Sequence, residues 1–181
     1  MWPETEQKLQ GLMDDMTNRA SDYERLVQFG LRVHVIVRET EKDARAYANN
    51  LLSKLDLDLG KDIRKRAQDA ASLGVARQAM LSEEADNQYY VEPNLWTGIG
   101  LARSGCGAAI VGDPDQVLAK INRYMDMGIR SFIFSGYPHH QECELFAKYV
   151  LPHIKTVSFP EVFGRRPKKT PNSPLGNGFR K

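Results

Sequence analysis

Apolar positions along the chain switch between two periods, and the switches mark its elements. Between Gln28 and Glu39, Leu31, Val33, Val35 and Val37 alternate with Arg32, His34, Ile36 and Arg38. A period of two among β-branched residues predicts a strand, with Arg32 and His34 on one face. Ahead of it, Leu9, Leu12, Met13, Met16 and Ala20 recur at helical spacing, and Pro3, Glu4 and Glu6 suit a first helical turn. Behind it, Thr40 is placed to cap a helix whose apolar stripe is Ala44, Ala48, Leu51, Leu52 and Leu55.

The stretch from Asp56 to Asn94 is polar and weakly periodic, with Ala67, Ala70, Ala71 and Ala76 suggesting a further helix. Trp96 to Gly112, WTGIGLARSGCGAAIVG, reads as a glycine-dense loop. Asp113-Pro114 then starts a helix: the carboxylate caps it, and proline fills the first position, where a missing N–H costs nothing. Val117, Leu118, Ile121, Tyr124 and Met125 form its apolar face, and Gly128 is placed to end it. Ile129 to Ser135 is a second strand, and Leu145, Phe146, Tyr149 and Val150 mark a last helix before Pro152. From Thr156 onward, prolines and basic residues without periodicity predict an extended tail.

Strands followed by helices predict an α/β fold with parallel pairing through crossovers. Two strands alone cannot cover both faces of a parallel sheet. The pattern therefore asks for further strands, from chain preceding Met1 or from a partner.

The 181 residues suffice for one domain, and a net charge of +2 argues against a dedicated nucleic-acid or polybasic membrane surface. No apolar run reaches the length of a membrane span, and the acidic opening lacks a signal-peptide core. Cys106 and Cys143 sit in no CxxC pattern, which makes a reducing cytoplasm the default and both thiols packing residues.

Arg32 and His34 are costly to bury on an apolar strand without a partner or ligand; the alternative is an edge strand with one solvated face. Arg103, in the glycine-dense stretch, can hold an oxyanion in bidentate fashion on a closing lid, or be a solvated loop arginine. The glycine spacing fits neither a dinucleotide fingerprint nor a P-loop. Tyr137 follows a Ser-Gly turn at a strand end, where a phenol can donate a hydrogen bond, act as a general acid, or merely pack. His139, His140 and His153 lack metal-ligand spacing and read as surface groups. The basic run Arg165, Arg166, Lys168 and Lys169 reads as a solvated tail.

Taken in order, LRVHVIVRET, PNLWTGIGLARSGCGAAIVGDPDQV and IRSFIFSGYPH resemble the C-terminal part of alkanesulfonate monooxygenases of the bacterial-luciferase superfamily. The similarity runs from about Met1 to His153. It implies a (β/α)8 TIM barrel of which residues 1–155 are the last two or so β/α units, with residues 156–181 as a tail. It also implies O2-dependent desulfonation to aldehyde and sulfite, using reduced FMN from a separate NAD(P)H-dependent flavin reductase, in a cytoplasmic enzyme that is a homo-oligomer when complete. His34, Arg32, Arg103 and Tyr137 match family positions lining the substrate and flavin pocket: the resemblance implies that Arg32 and Arg103 bind the sulfonate, that His34 and Tyr137 contact the flavin, and that His34, Arg103 and Tyr137 are catalytic. The family's pocket cysteine and most of its FMN-contacting segments precede the part matched here. The opening MWPE departs from the alkanesulfonate pattern and is nearer to relatives acting on compounds such as dimethyl sulfone. Two other readings stand beside this one: a deazaflavin-dependent reductase of the same superfamily, and a truncated, non-catalytic chain serving at most as an interaction module.

Overall fold

The computed structural model of the chain describes residues 1–56, 58–60, 72–102 and 107–156. The first half runs α1 (Glu6–Ser21), β1 (Phe29–Val37), α2 (Glu41–Leu52) and α3 (Leu73–Glu83). A hairpin of β2 (Tyr90–Glu92) and β3 (Leu95–Trp96) follows, then a single turn, α4 (Ile99–Ala102). The chain continues through β4 (Ala109–Gly112), α5 (Pro114–Asp126), β5 (Ile129–Ser135) and α6 (His139–Tyr149), and a short 3-10 turn, Leu151–His153.

The expected strand Gln28–Glu39 is β1, and it is a central strand rather than an edge. It pairs in parallel with β4 on one side and β5 on the other. The five-stranded sheet has the order β2-β3-β4-β1-β5, with β3 antiparallel to both of its neighbours. The fold is thus α/β with a mixed sheet. In a barrel of consecutive β/α units, β4 would stand between β1 and β5; here β1 holds that place. The barrel order expected from the resemblance is not seen among the described strands.

Alternation along β1 sorts its side chains onto two faces, each covered by its own layer. Leu31, Val33, Val35 and Val37 are almost fully buried in one cluster with Leu9 and Met13 of α1, Val117, Ile121 and Tyr124 of α5, and Phe146 of α6. Ile36 lies in a second cluster with Ala44 and Ala48 of α2, Trp96, Ile99, Ala109 and Val111. Helices on both faces are what a parallel β1 requires.

Local chemistry sets the helix ends. Thr40 Oγ1 accepts the Asp43 N–H at 3.2 Å, as its sequence position implied. Asp113 accepts the Gln116 N–H at 2.9 Å, and the Gln116 side chain returns to the Asp113 N–H at 3.1 Å, a reciprocal capping box. Pro114 occupies the first turn, and Gly128, at φ +107°, closes the exit. At α1 the cap is Thr5, so Pro3 precedes the helix instead of opening it, and only Leu9 and Met13 of the expected stripe are buried.

Two further readings change. Trp96 to Gly112 is not one loop: it contains part of β3, then α4 and β4, and β4 is buried throughout. The helix sought between Asp56 and Asn94 is seen as α3, which includes Ala76; Ala67, Ala70 and Ala71 lie outside the described residues, as does the tail from residue 157.

One ion network joins α1, the hairpin and α5. Lys120 is 1% exposed, and its ammonium donates to Glu6 Oε1 at 2.6 Å and to Glu92 Oε1. Arg123 Nε adds a bond to Glu6 at 2.8 Å, and the Glu92 carboxylate accepts the Glu6 N–H at the N-terminus of α1. Burial alone would raise the Glu6 carboxyl, but the hydrogen bonds and charges of Lys120 and Arg123 outweigh it and hold it below the ordinary carboxylate range.

Lys120→Met should therefore cost about 2–3 kcal/mol, somewhat less than breaking a fully buried pair because Glu6 retains some contact with water. Urea denaturation measures this, and an unchanged midpoint would show that the network adds nothing. A carboxyl with a lowered folded pKa contributes stability above its unfolded pKa and loses it as the pH falls through the folded value. Glu6→Gln should accordingly flatten the fall of Tm on acidification below about pH 4.5, the ordinary glutamate range; a Tm–pH profile parallel to that of the parent would refute this.

Candidate functional site

The strands β1, β4 and β5 run parallel, and β5 ends level with the middle of β1 and the start of β4. Pairing sets His34 level with Ser135 of β5, and Arg32 level with Ile133. His34 is 3% exposed, and its backbone N–H donates to Ala108 O at 3.2 Å. Arg32 is on the same face but exposed, because α2 covers that face only toward Ile36 and β4. The two residues thus share a face, as their spacing of two implied, but not an environment.

Tyr137 follows the end of β5 with its side chain half exposed. Its carbonyl accepts the Tyr47 hydroxyl of α2 at 3.2 Å, and its ring meets that of His139 edge-on at 5.5 Å. The third expected residue of this group, Arg103, lies outside the described residues, and so does Cys106. His139, His140 and His153 are exposed, and no cluster of three or more metal-ligating side chains occurs among the described residues. Cys143 is exposed on α6, not packed in the core.

Charge is concentrated just beyond β1. Arg38 donates through Nη2 to Glu142 Oε1 at 2.6 Å and through Nη1 to Glu142 Oε2 at 3.1 Å, a bidentate pair. Nη1 also reaches Val37 O at 2.7 Å, and the guanidinium stacks 3.7 Å above the Tyr47 ring. The side chains of Arg38 and Glu142 are 13% and 2% exposed. Gly136 abuts Glu142 so closely that a Cβ there would lie 2.2 Å from Glu142 Cβ. Arg38 thereby ties α2 on one face of the sheet to α6 on the other.

Beside this pair, a cavity of about 260 Å³ opens between β5 and α6, walled by Val35, Phe134 and Phe146, with Ser135, His139 and Cys143 on its lining. Ser135 Oγ is buried and has no hydrogen-bond partner among the described residues. A buried hydroxyl left in this way, at the strand end and level with His34, suits a polar group of a ligand.

The model of the family described as luciferase-like monooxygenase matches residues 1–131. The chain belongs to the luciferase-like monooxygenase family. Two curated family relatives are named sulfoquinovose monooxygenase. The one from Agrobacterium fabrum is 56% identical over 180 residues, which cover 99% of this chain but 47% of that protein. The one from Novosphingobium aromaticivorans is 60% identical over 154 residues, covering 85% of this chain and 42% of that protein. The chain spans less than half the length of the curated relatives it matches. Among solved structures, a coenzyme F420 dependent tetrahydromethanopterin reductase from Methanopyrus kandleri aligns at a TM-score of 0.41 and 18% identity, covering 81% of this chain and 42% of that one. That likeness is too loose to bear on fold or chemistry.

The family resemblance drew attention to His34, Arg32, Arg103 and Tyr137 but not to Arg38, Tyr47 or Glu142. A signal for Glu142 is present: it precedes Leu145, Phe146 and Tyr149 at spacings of three, four and seven, on the apolar stripe of α6. A carboxylate on such a stripe must find a cation.

Arg38→Met should cost about 3–5 kcal/mol, because it leaves the Glu142 carboxylate buried and uncompensated. Adding Glu142→Met should restore a large part of that loss in denaturant melts. A single variant as stable as the parent would mean that the pair is not paired in solution.

Proposed function

We propose that this chain forms part of a two-component, reduced-flavin-dependent monooxygenase that cleaves the carbon–sulfur bond of an organosulfonate. The observation that carries this reading is the identity of over half the chain to two proteins named sulfoquinovose monooxygenase, within a family whose model covers residues 1–131. Those names favour a sulfonated sugar as substrate over a simple alkanesulfonate, and a sulfonate of either kind over a sulfone.

Reduced FMN, when bound, supplies the electrons with which O2 delivers one oxygen atom to the sulfur-bearing carbon and releases the other as water. The C–S bond breaks, sulfite departs, and an aldehyde remains. His34, buried in the middle of β1, and the buried Ser135 hydroxyl level with it at the end of β5, with Tyr137 just beyond, are the residues proposed to hold the flavin. Such polar groups on an apolar sheet orient a planar ligand and keep water away from it. Tyr137, half exposed, can hand a proton to a reacting group. Arg32, cationic and exposed on the His34 face, and Arg103 are the proposed partners of the sulfonate anion. A separate NAD(P)H-dependent reductase is the proposed source of reduced FMN, and the complete protein is proposed to be a cytoplasmic homo-oligomer. Among the described residues, no helix is long and apolar enough to cross a membrane.

The test joins this chain to the portion of the Agrobacterium relative outside the matched segment and measures sulfite release from sulfoquinovose and from alkanesulfonates, with O2 and a flavin reductase. Sulfite from sulfoquinovose is the expected result; flavin turnover without sulfite from any sulfonate would overturn the reading. In an anaerobic titration with reduced FMN, His34→Ala should weaken binding about tenfold, the worth of one good hydrogen bond in a desolvated site. Equal affinity of parent and variant would remove His34 from the flavin site.

A further inference from the structure

The charged cluster beyond β1 is not accounted for by the proposed reaction, yet it touches the segment that carries Tyr137. Two independent contacts meet on that segment. The Tyr47 hydroxyl donates to the Tyr137 carbonyl at 3.2 Å, and Gly136 lies against the Glu142 side chain with no room for a Cβ. Tyr47 is itself held from above by the Arg38 guanidinium, and Glu142 is held by both nitrogens of the same fork. One guanidinium therefore fixes both of the groups that fix the turn.

From this arrangement we infer that Arg38, Tyr47 and Glu142 are positioning residues that set the backbone of residues 136–137, and with it the place of the Tyr137 phenol at the carboxyl end of the sheet. This rests on the reading of Tyr137 as a functional group. The geometry favours positioning over mere stability for two reasons. A stability device needs only the ion pair, whereas here the cation also stacks on a tyrosine whose hydroxyl reaches the Tyr137 backbone carbonyl. Moreover, the partners come from three elements on both faces of the sheet: Arg38 follows β1, Tyr47 lies on α2 and Glu142 on α6. Burial first, and the negative charge of Glu142 next, push the Tyr47 phenol above its ordinary value, so it remains a donor throughout the neutral range.

Tyr47→Phe is the discriminating variant, because it removes one hydroxyl and keeps the ring under Arg38, so folding is preserved. In the full chain labelled with ring-carbon-13 tyrosine, the spectrum reports on the seven tyrosines, and Tyr137→Phe identifies the signal of Tyr137 by its disappearance. Tyr47→Phe is expected to move the Tyr137 signal while that of the buried Tyr124 stays in place, with an unchanged melting temperature. Arg38→Lys, which keeps the charge but loses the fork, is expected to move it as well. A Tyr137 signal unmoved by Tyr47→Phe overturns the proposal. In the joined protein that releases sulfite, Tyr47→Phe should lower kcat about fivefold with little change in KM, the effect of losing one hydrogen bond that orients a reacting group. If Tyr137→Phe itself leaves kcat unchanged there, the functional reading of Tyr137 fails, while the carbon-13 result still decides whether the cluster positions it.

Discussion

β1 is an apolar strand with parallel neighbours on both edges, so neither face can be left to water, and the arrangement of the other elements answers that requirement. One face meets α1, α5 and α6; the other meets α2 and the segment from Trp96 to Ile99. Of these helices, α2 lies in the crossover from β1 to β4 and α5 in that from β4 to β5, one to each side. The site inherits its location from the same requirement. Where α2 stops covering the second face, Arg32 is in water, and two residues further along the strand His34 is not.

On two helices among the described residues, a long charged side chain occupies a buried position that periodicity reserves for packing. Lys120 stands with Val117, Ile121 and Tyr124 on the inner face of α5, and Glu142 stands on that of α6. Each is tolerated because its partners use most of its hydrogen-bonding capacity: two carboxylates for the ammonium, and one guanidinium gripping both oxygens for the carboxylate. The first pair lies among α1, α5 and the hairpin, away from the strand ends. The second lies against the turn that bears Tyr137, so only the second enters the proposed positioning of that residue.

Much of this is legible in the sequence. β1 and β5 announce themselves by β-branched and aromatic runs, and α2 and α5 by caps whose chemistry is local: Thr40 to Asp43, Asp113 to Gln116. What escaped depends on contacts distant in sequence. β4 is four residues long and buried on all of them, so it shows no alternation, and its neighbouring glycines give the stretch the composition of a loop. The hairpin strands of three and two residues are too short for any period; only the Asn94 turn, at φ +64°, marks them. The order of the strands was invisible for a different reason: local patterns state that a strand exists, not which edge it joins. Likewise, the spacing of Arg32 and His34 gave their shared face, but their unequal burial is decided by where α2 ends.

The strand order has a kinetic meaning as well. β1 precedes both strands that pair with it, which belong to the second half of the chain, and α2, α3 and the hairpin come between. The sheet therefore cannot grow by zipping neighbour to neighbour. It must close a long loop before the first parallel pair repays the entropy, and then a second, longer one on the opposite edge. A chain of this order folds late relative to its synthesis, holding an apolar strand exposed while it waits, and this interval is when it is most open to mispairing.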